Sequence, residues 1–221
     1  MKSNFENILF DLDGTLTDPA EGIVNSVIYA MKKMNFENVD RSGLLHFIGP
    51  PLTDSFMNQC SVDQDTAELM ITYYREYFST SGKFENEVYK GVTDLLSELY
   101  RDGLNLFVAT SKPTVFAKEI LKHFNLDEYF IDIVGSNMDN TRTSKAEIIS
   151  HIIQMHSLIP SKCVMIGDTM HDLIGAKACH ISSIAVAYGY GDKHEFENFA
   201  PIEVVDNISG LKSILRDCVS A

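Results

Sequence analysis

The sequence predicts an α/β fold, a doubly wound, Rossmann-like parallel sheet interrupted by a helical insert. Three observations predict it. Apolar runs of strand length recur along the chain, helical patterns lie between most of them, and one interval near the N-terminus shows helical spacing with no convincing strand. Strands alternating with helices of this length imply parallel pairing with both faces covered, and such sheets place their sites at the carboxyl ends of the strands.

The elements follow in chain order. Ile8 to Phe10 is the first strand, and Leu104 to Ala109, Ile131 to Val134, Cys163 to Ile166 and Ile184 to Ala187 follow, with a weaker run at Val204-Val205. Helical spacing joins Val92, Leu95, Leu96 and Leu99, then Val115, Ile120, Leu121 and Phe124, then Ile148, Ile149, Ile152 and Ile153. Between Thr17 and about Val88, Ile23, Val27, Met31 and Met34, then Ala67, Met70, Tyr74 and Phe78, repeat at the same spacing. The chain therefore reads as a discontinuous core, residues 1–16 and 89–221, with a helical insert at 17–88 on short hinges near Asp18 and Glu87 to Lys90. Ile48-Gly49-Pro50-Pro51-Leu52 bends that insert, because proline fixes φ and disfavours helix in the residue before it. The bend reads either as an interhelical turn or as a loop facing a substrate.

Composition bounds the function. The chain has 221 residues, 45% hydrophobic and 22% charged, ordinary for a globular protein with a substantial core. Eighteen basic against thirty-one acidic residues give a net charge of −13, which opposes docking on nucleic-acid phosphates or anionic lipid. No apolar run approaches the roughly 20 residues that span a bilayer, and Met1 to Glu6 does not read as a signal peptide, so a cytoplasmic address is expected. Cys60, Cys163, Cys179 and Cys218 are widely spaced and read as reduced thiols.

The chemistry is concentrated at strand ends. Asp11 and Asp13 stand two residues apart where the first strand stops, and Gly14 releases the backbone from the pleat so that both carboxylates can enter one crevice. One can attack while the other moves a proton. An EF-hand reading is disfavoured, because such loops need further oxygen ligands at set spacings and a late Glu, and Leu16 and Thr17 occupy the next positions here. Thr110 closes the strand Leu106 to Ala109, with Pro113 placed to open the next helix in its first turn. Ser144 and Glu147 fit a capping box, which puts Lys145 in a first helical turn, where a cation opposes the helix dipole and calls for another reason to be present. Asp168 and Asp172 follow the apolar run Val164 to Ile166.

These four segments, in this order and over nearly the whole chain, resemble the motifs of the haloacid dehalogenase superfamily. The flanking sequence is most similar to its phosphoglycolate phosphatase and 5′-nucleotidase members. The resemblance implies that Asp11 is the nucleophile, forming an aspartyl phosphate, and Asp13 the acid-base. It further implies that Gly14, Thr15, Thr110, Ser111 and Lys145 meet the phosphate. Asp11, the backbone carbonyl of Asp13, and Asp168, supported by Asp172, would hold Mg²⁺. Ser111-Lys112 stands where relatives often carry Asn-Lys, so Ser111 is a weaker match than Thr110. The insert resembles a helical cap that closes over the site and contacts the leaving group. Arg41 or Arg75 could bind a carboxylated substrate there, and Phe47, Ile48, Phe56 and Tyr74 could form a slot for a nucleobase. His171 is expected to face solvent, and His180, where relatives carry glycine, to adopt positive φ.

The expected activity is hydrolysis of a small phosphate ester by a monomer or small homo-oligomer, with no nucleic-acid or membrane partner. A phosphomutase or pyrophosphatase on the same scaffold is the alternative. A receiver-type signalling module is disfavoured, because its acidic pair precedes a separate phosphoacceptor strand and it lacks a long helical insert. A dehalogenase is disfavoured by the presence of Asp13.

Overall fold

The computed structural model describes residues 4–36, 39–139 and 141–219. Met1 to Ser3, part of the N-terminal segment considered above, lie outside the described residues. The chain divides into two compact units, residues 1–18 with 88–221, and residues 19–87.

The larger unit is built on a parallel sheet of β1 (Asn7–Phe10), β4 (Asn105–Pro113), β5 (Asp132–Ser136), β6 (Cys163–Gly167), β7 (Ser182–Val186) and β8 (Val204–Val205). The strands lie in the order β5-β4-β1-β6-β7-β8. The chain winds outward from β1 in one direction and then, through β6, in the other, so the order reverses beside β1. A crevice opens at the carboxyl ends of the strands at such a reversal. Phe10 is level with Val108 on one side and Ile166 on the other, so Asp11, Ala109 and Gly167 come next at the same edge. Two-residue strands β2 (Thr17–Asp18) and β3 (Glu87–Val88) form a separate small ladder.

Both faces of the sheet are covered, because successive residues of β1 and β6 are all buried. Leu9, Phe107 and Met165 cluster with Ile148, Ile149 and Ile152 of α6 (Lys145–Met155) and Ala176 of α7 (Met170–Ala178). Each of the larger side chains contributes roughly 1.5–3 kcal/mol when fully buried. Helix α4 (Val92–Arg101) buries the predicted stripe Val92, Leu95, Leu96 and Leu99. Helix α5 (Thr114–His123) buries the predicted Ile120 and Leu121 together with Phe116 and Ala117, whereas the predicted Val115 is exposed. Pro113 is the N-cap of α5 rather than a first-turn residue, because it is still the last residue of β4. His180 has φ 56°, as its place after α7 predicts.

The smaller unit is helical. It contains α1 (Ala20–Lys33), α2 (Leu52–Cys60) and α3 (Gln64–Phe78), with a 3₁₀ turn at Arg41–Phe47, and α1 packs against α3. The Ile48 to Leu52 segment connects the 3₁₀ turn to α2. Phe47 meets Phe56 edge to face at 5.0 Å, Tyr74 stacks on Phe78 at 5.4 Å, and Phe47, Ile48, Phe56 and Tyr74 are all buried. Arg41 pairs with Glu21 at 2.9 Å and donates to Asn25 at 2.8 Å. No helix among the described residues is long and apolar enough to cross a membrane. Cys163 is buried, Cys60, Cys179 and Cys218 are half-buried, and all four thiols are free.

Candidate active site

Asp11 emerges directly from β1, and its N–H donates to Ile166 O at 2.8 Å, so the sheet hydrogen bonding runs into the site. Its Oδ1 accepts from the Leu12 N–H at 2.7 Å and lies 2.7 Å from Lys145 Nζ. The capping box predicted at Ser144 and Glu147 is formed, and it fixes Lys145 as the first residue of α6. From there the ammonium also reaches Asp172 Oδ1 at 2.6 Å and the Ala109 carbonyl at 2.8 Å. A cation in a first turn is unfavourable for the helix dipole, and two carboxylates and a carbonyl around it offset that cost.

Asp168 follows β6, and Asp172 lies in the first turn of α7, where its Oδ2 accepts from the Thr169 N–H at 3.1 Å and from the Thr169 hydroxyl at 2.9 Å. Oxygens of Asp11, Asp168 and Asp172 lie within 4.8 Å of one another, and all three residues are buried. Thr15 Oγ1 lies 3.4 Å from Asp168 Oδ1, so the hydroxyl expected at the phosphate faces a carboxylate in this structure. Gly14 has φ +77°, and a Cβ there would stand 2.0 Å from Asp168 Oδ2, so both backbone conformation and space require glycine. Thr110 is buried within β4, which continues past it with an irregularity between Ala109 and Pro113, and its hydroxyl accepts from the Lys112 N–H at 3.3 Å. Ser111 is half-buried, and its carbonyl accepts from Ser136 Oγ at 2.9 Å.

Two contributors are not apparent in the sequence reading. Lys112 lies 2.7 Å from Asp13 Oδ2 with its side chain almost wholly buried, so the second carboxylate has its own counter-charge. A lysine two residues past Thr110 was the available signal. The second is the Tyr188 to Gly191 segment after β7, where the Tyr190 N–H donates to Asp168 Oδ2 at 2.8 Å. Gly189 and Gly191 allow this close approach, since a Cβ on either would collide with Asp168. His171 is exposed, as expected.

The electrostatics call for another cation. Burial, opposed by Lys145 and reinforced by Asp172, raises the Asp11 carboxyl to about 6. Burial together with the charges of Asp11 and Asp172 raises Asp168 well above the ordinary carboxylate range. Burial works against the charge on Lys145, but Asp11 and Asp172 outweigh it and raise its pKa. Ionised together, as metal ligands must be, the three carboxylates beside one ammonium would carry a net charge of −2. A divalent, oxygen-preferring ion matches both that deficit and the all-oxygen donor set.

The chain is 44% identical over 212 residues to a 5′-nucleotidase of Pseudomonas aeruginosa, covering 96% of each protein. It is 36% identical over 184 residues to the tyrosine-protein kinase PtkA of Mycobacterium tuberculosis, covering 83% of this chain and 62% of that protein. A crystal structure of a predicted phosphatase from Clostridium acetobutylicum superposes with a TM-score of 0.91 at 44% identity, covering 96% of this chain and 99% of that one. With residues 8–186 also matching its family model, the chain belongs to the haloacid dehalogenase-like hydrolase family.

Proposed function

We propose that this enzyme, a phosphatase, hydrolyses small organic phosphomonoesters through a phosphorylated Asp11, with Mg²⁺ held by Asp11, the Asp13 carbonyl and Asp168 and supported by Asp172. The observation that carries the reading is the buried convergence of Asp11, Lys145, Asp168 and Asp172 at one sheet edge, with Asp13 beside them. Bound there, Mg²⁺ would offset the repulsion between the carboxylates and an incoming phosphate and draw charge from its oxygens.

Asp11 Oδ1 is fixed by Lys145 and the Leu12 amide, which orients the carboxylate so that Oδ2 attacks phosphorus. The phosphorus–oxygen ester bond breaks as the Asp11–phosphorus bond forms, and the departing alkoxide takes a proton from Asp13. Asp13 then takes a proton from water, the resulting hydroxide attacks phosphorus, and Asp11 leaves with inorganic phosphate as the product. Lys145 offsets charge growing on the equatorial oxygens, and Thr110, Ser111, Gly14 and Thr15 line the phosphate position.

The reading takes residues 19–87 as the cap, whose role would be to exclude bulk water and select the leaving group. The reading places the enzyme in the cytoplasm, as a monomer or small homo-oligomer with neither nucleic acid nor membrane as partner. The burial of Phe47, Phe56 and Tyr74 in aromatic contacts disfavours them as an open nucleobase slot. The substrate class is decided by kcat/KM across nucleoside monophosphates, phosphoglycolate, sugar phosphates and pyrophosphate. Preference for pyrophosphate, or transfer of phosphate to a sugar rather than to water, would support the pyrophosphatase or mutase alternative. Asp11→Asn should abolish turnover while the circular dichroism spectrum is unchanged. Near-normal Mg²⁺-dependent hydrolysis by that variant would remove Asp11 as nucleophile.

A further inference from the structure

The loop after β7 ties the aspartate cluster to the turn that carries the first motif. Gly189 and Gly191 lie directly against Asp168: a Cβ on Gly189 would stand 2.3 Å from Asp168 Oδ2, and one on Gly191 1.9 Å from the Asp168 carbonyl. The Tyr190 N–H between them donates to Asp168 Oδ2. A loop amide is held only as well as the loop itself, and glycines on both sides of it add freedom. Asp168 meanwhile feels the like charges of Asp11 and Asp172, which favour its turning away. The loop therefore needs anchors.

Two phenols provide them. The Tyr188 hydroxyl donates to the Thr15 carbonyl at 2.9 Å, and the Tyr190 hydroxyl donates to Asp18 Oδ1. The Tyr89 ring meets Tyr188 edge to face at 5.1 Å, which restricts that side chain further. Both acceptors lie on the stretch that runs from the first motif to the end of β2, so the loop is fastened to the same turn that presents Asp11 and Asp13.

We propose that Tyr188 and Tyr190 are positioning residues for the cation centre, holding the Tyr190 amide against Asp168 so that its carboxylate faces the ion shared with Asp11 and Asp172. The inference rests on the reading of the aspartate cluster as a Mg²⁺ site. Supporting groups of this kind typically change metal affinity by about 10- to 100-fold when removed.

The test is Mg²⁺ binding by isothermal titration calorimetry, without substrate, on the full chain and on Tyr188→Phe, Tyr190→Phe and the double variant. Each substitution deletes one oxygen and keeps the ring and the backbone amide. The dissociation constant for Mg²⁺ should rise about tenfold in at least one single variant and further in the double variant. The kcat for p-nitrophenyl phosphate at saturating Mg²⁺ should fall by less than the affinity does. Gly189→Ala, which places a methyl group on Asp168, should weaken Mg²⁺ binding most. A lower melting temperature with Mg²⁺ affinity within twofold of wild type in all three phenylalanine variants would mark the phenols as merely structural and overturn the proposal. If the wild-type chain itself gives no Mg²⁺ isotherm, the metal reading fails and takes this inference with it. Wild-type binding that Asp168→Asn abolishes, but the phenylalanine variants do not alter, leaves the metal reading intact and refutes this inference alone.

Discussion

In the proposed mechanism Lys145 serves both stability and chemistry. Its ammonium is almost fully buried and is shared by Asp11, Asp172 and the Ala109 carbonyl. Removing one partner of a buried ion pair leaves its charges uncompensated, which costs on the order of 3–5 kcal/mol. Lys145→Met keeps most of the volume and loses the charge, so it should lower kcat by about 10² or more, the usual cost of a lost charge-stabilising contact. In EDTA it should also lower the melting temperature. Equal kcat in wild type and Lys145→Met would remove the residue from the mechanism. Cys163 illustrates the opposite case, a reactive group made inert. Burial pushes its thiol up to about 11, so at pH 8 only about one part in a thousand is thiolate, the species that reacts. Iodoacetamide at pH 8 should leave Cys163 unmodified in the native chain and label it fully in guanidinium chloride, as read by peptide mass spectrometry.

At the level of elements, the strands that carry the site were legible because each is a run of successive apolar residues buried on both faces, which only a covered parallel sheet requires. Ile8 to Phe10 and Cys163 to Ile166 correspond to β1 and β6 within one residue at either end. The end of β4 was not legible. Pairing with β5 continues to Pro113, but Thr110-Ser111-Lys112 is polar, so the hydrophobic signal stops before the strand does. Lys112 has no assigned role in the sequence, because its partner Asp13 is close only after β1 and β4 pair. The role of the Tyr188 to Gly191 loop was not legible, because its contacts with Thr15 and Asp18 join distant parts of the chain. The capping box was legible because its partners are three residues apart. Ser144→Ala should destabilise the fold by about 1 kcal/mol, a typical cap loss. It should also lower kcat modestly by loosening the turn that places Lys145. Urea denaturation and steady-state rates together check this, and a stability loss with an unchanged rate would show that Lys145 is held by its carboxylates alone.

Over the whole molecule, every group assigned to phosphoryl transfer belongs to the unit formed by residues 1–18 and 88–221, and residues 19–87 supply none of them. The chain leaves that unit and returns to it at one place: β2 and β3 form a ladder, and the Tyr89 N–H donates to the Leu16 carbonyl at 3.1 Å. Ends this close can be joined by a connection of about four residues, within the range of ordinary loops. Replacing residues 19–87 with a short Gly-Ser linker should therefore leave the parallel sheet folded, because the cluster of Leu9, Phe107 and Met165 with α6 and α7 lies between its own strands and helices. The shortened chain should still bind Mg²⁺, since the aspartate cluster and its lysine remain. What it should lose is discrimination. If the insert supplies contacts to the leaving group, kcat/KM for the preferred substrate should fall far more than for p-nitrophenyl phosphate, narrowing the spread across the panel. A folded, Mg²⁺-binding core that keeps the full spread would place specificity in the sheet loops instead. A core that fails to fold would show that residues 19–87 stabilise the sheet as well as serving its chemistry.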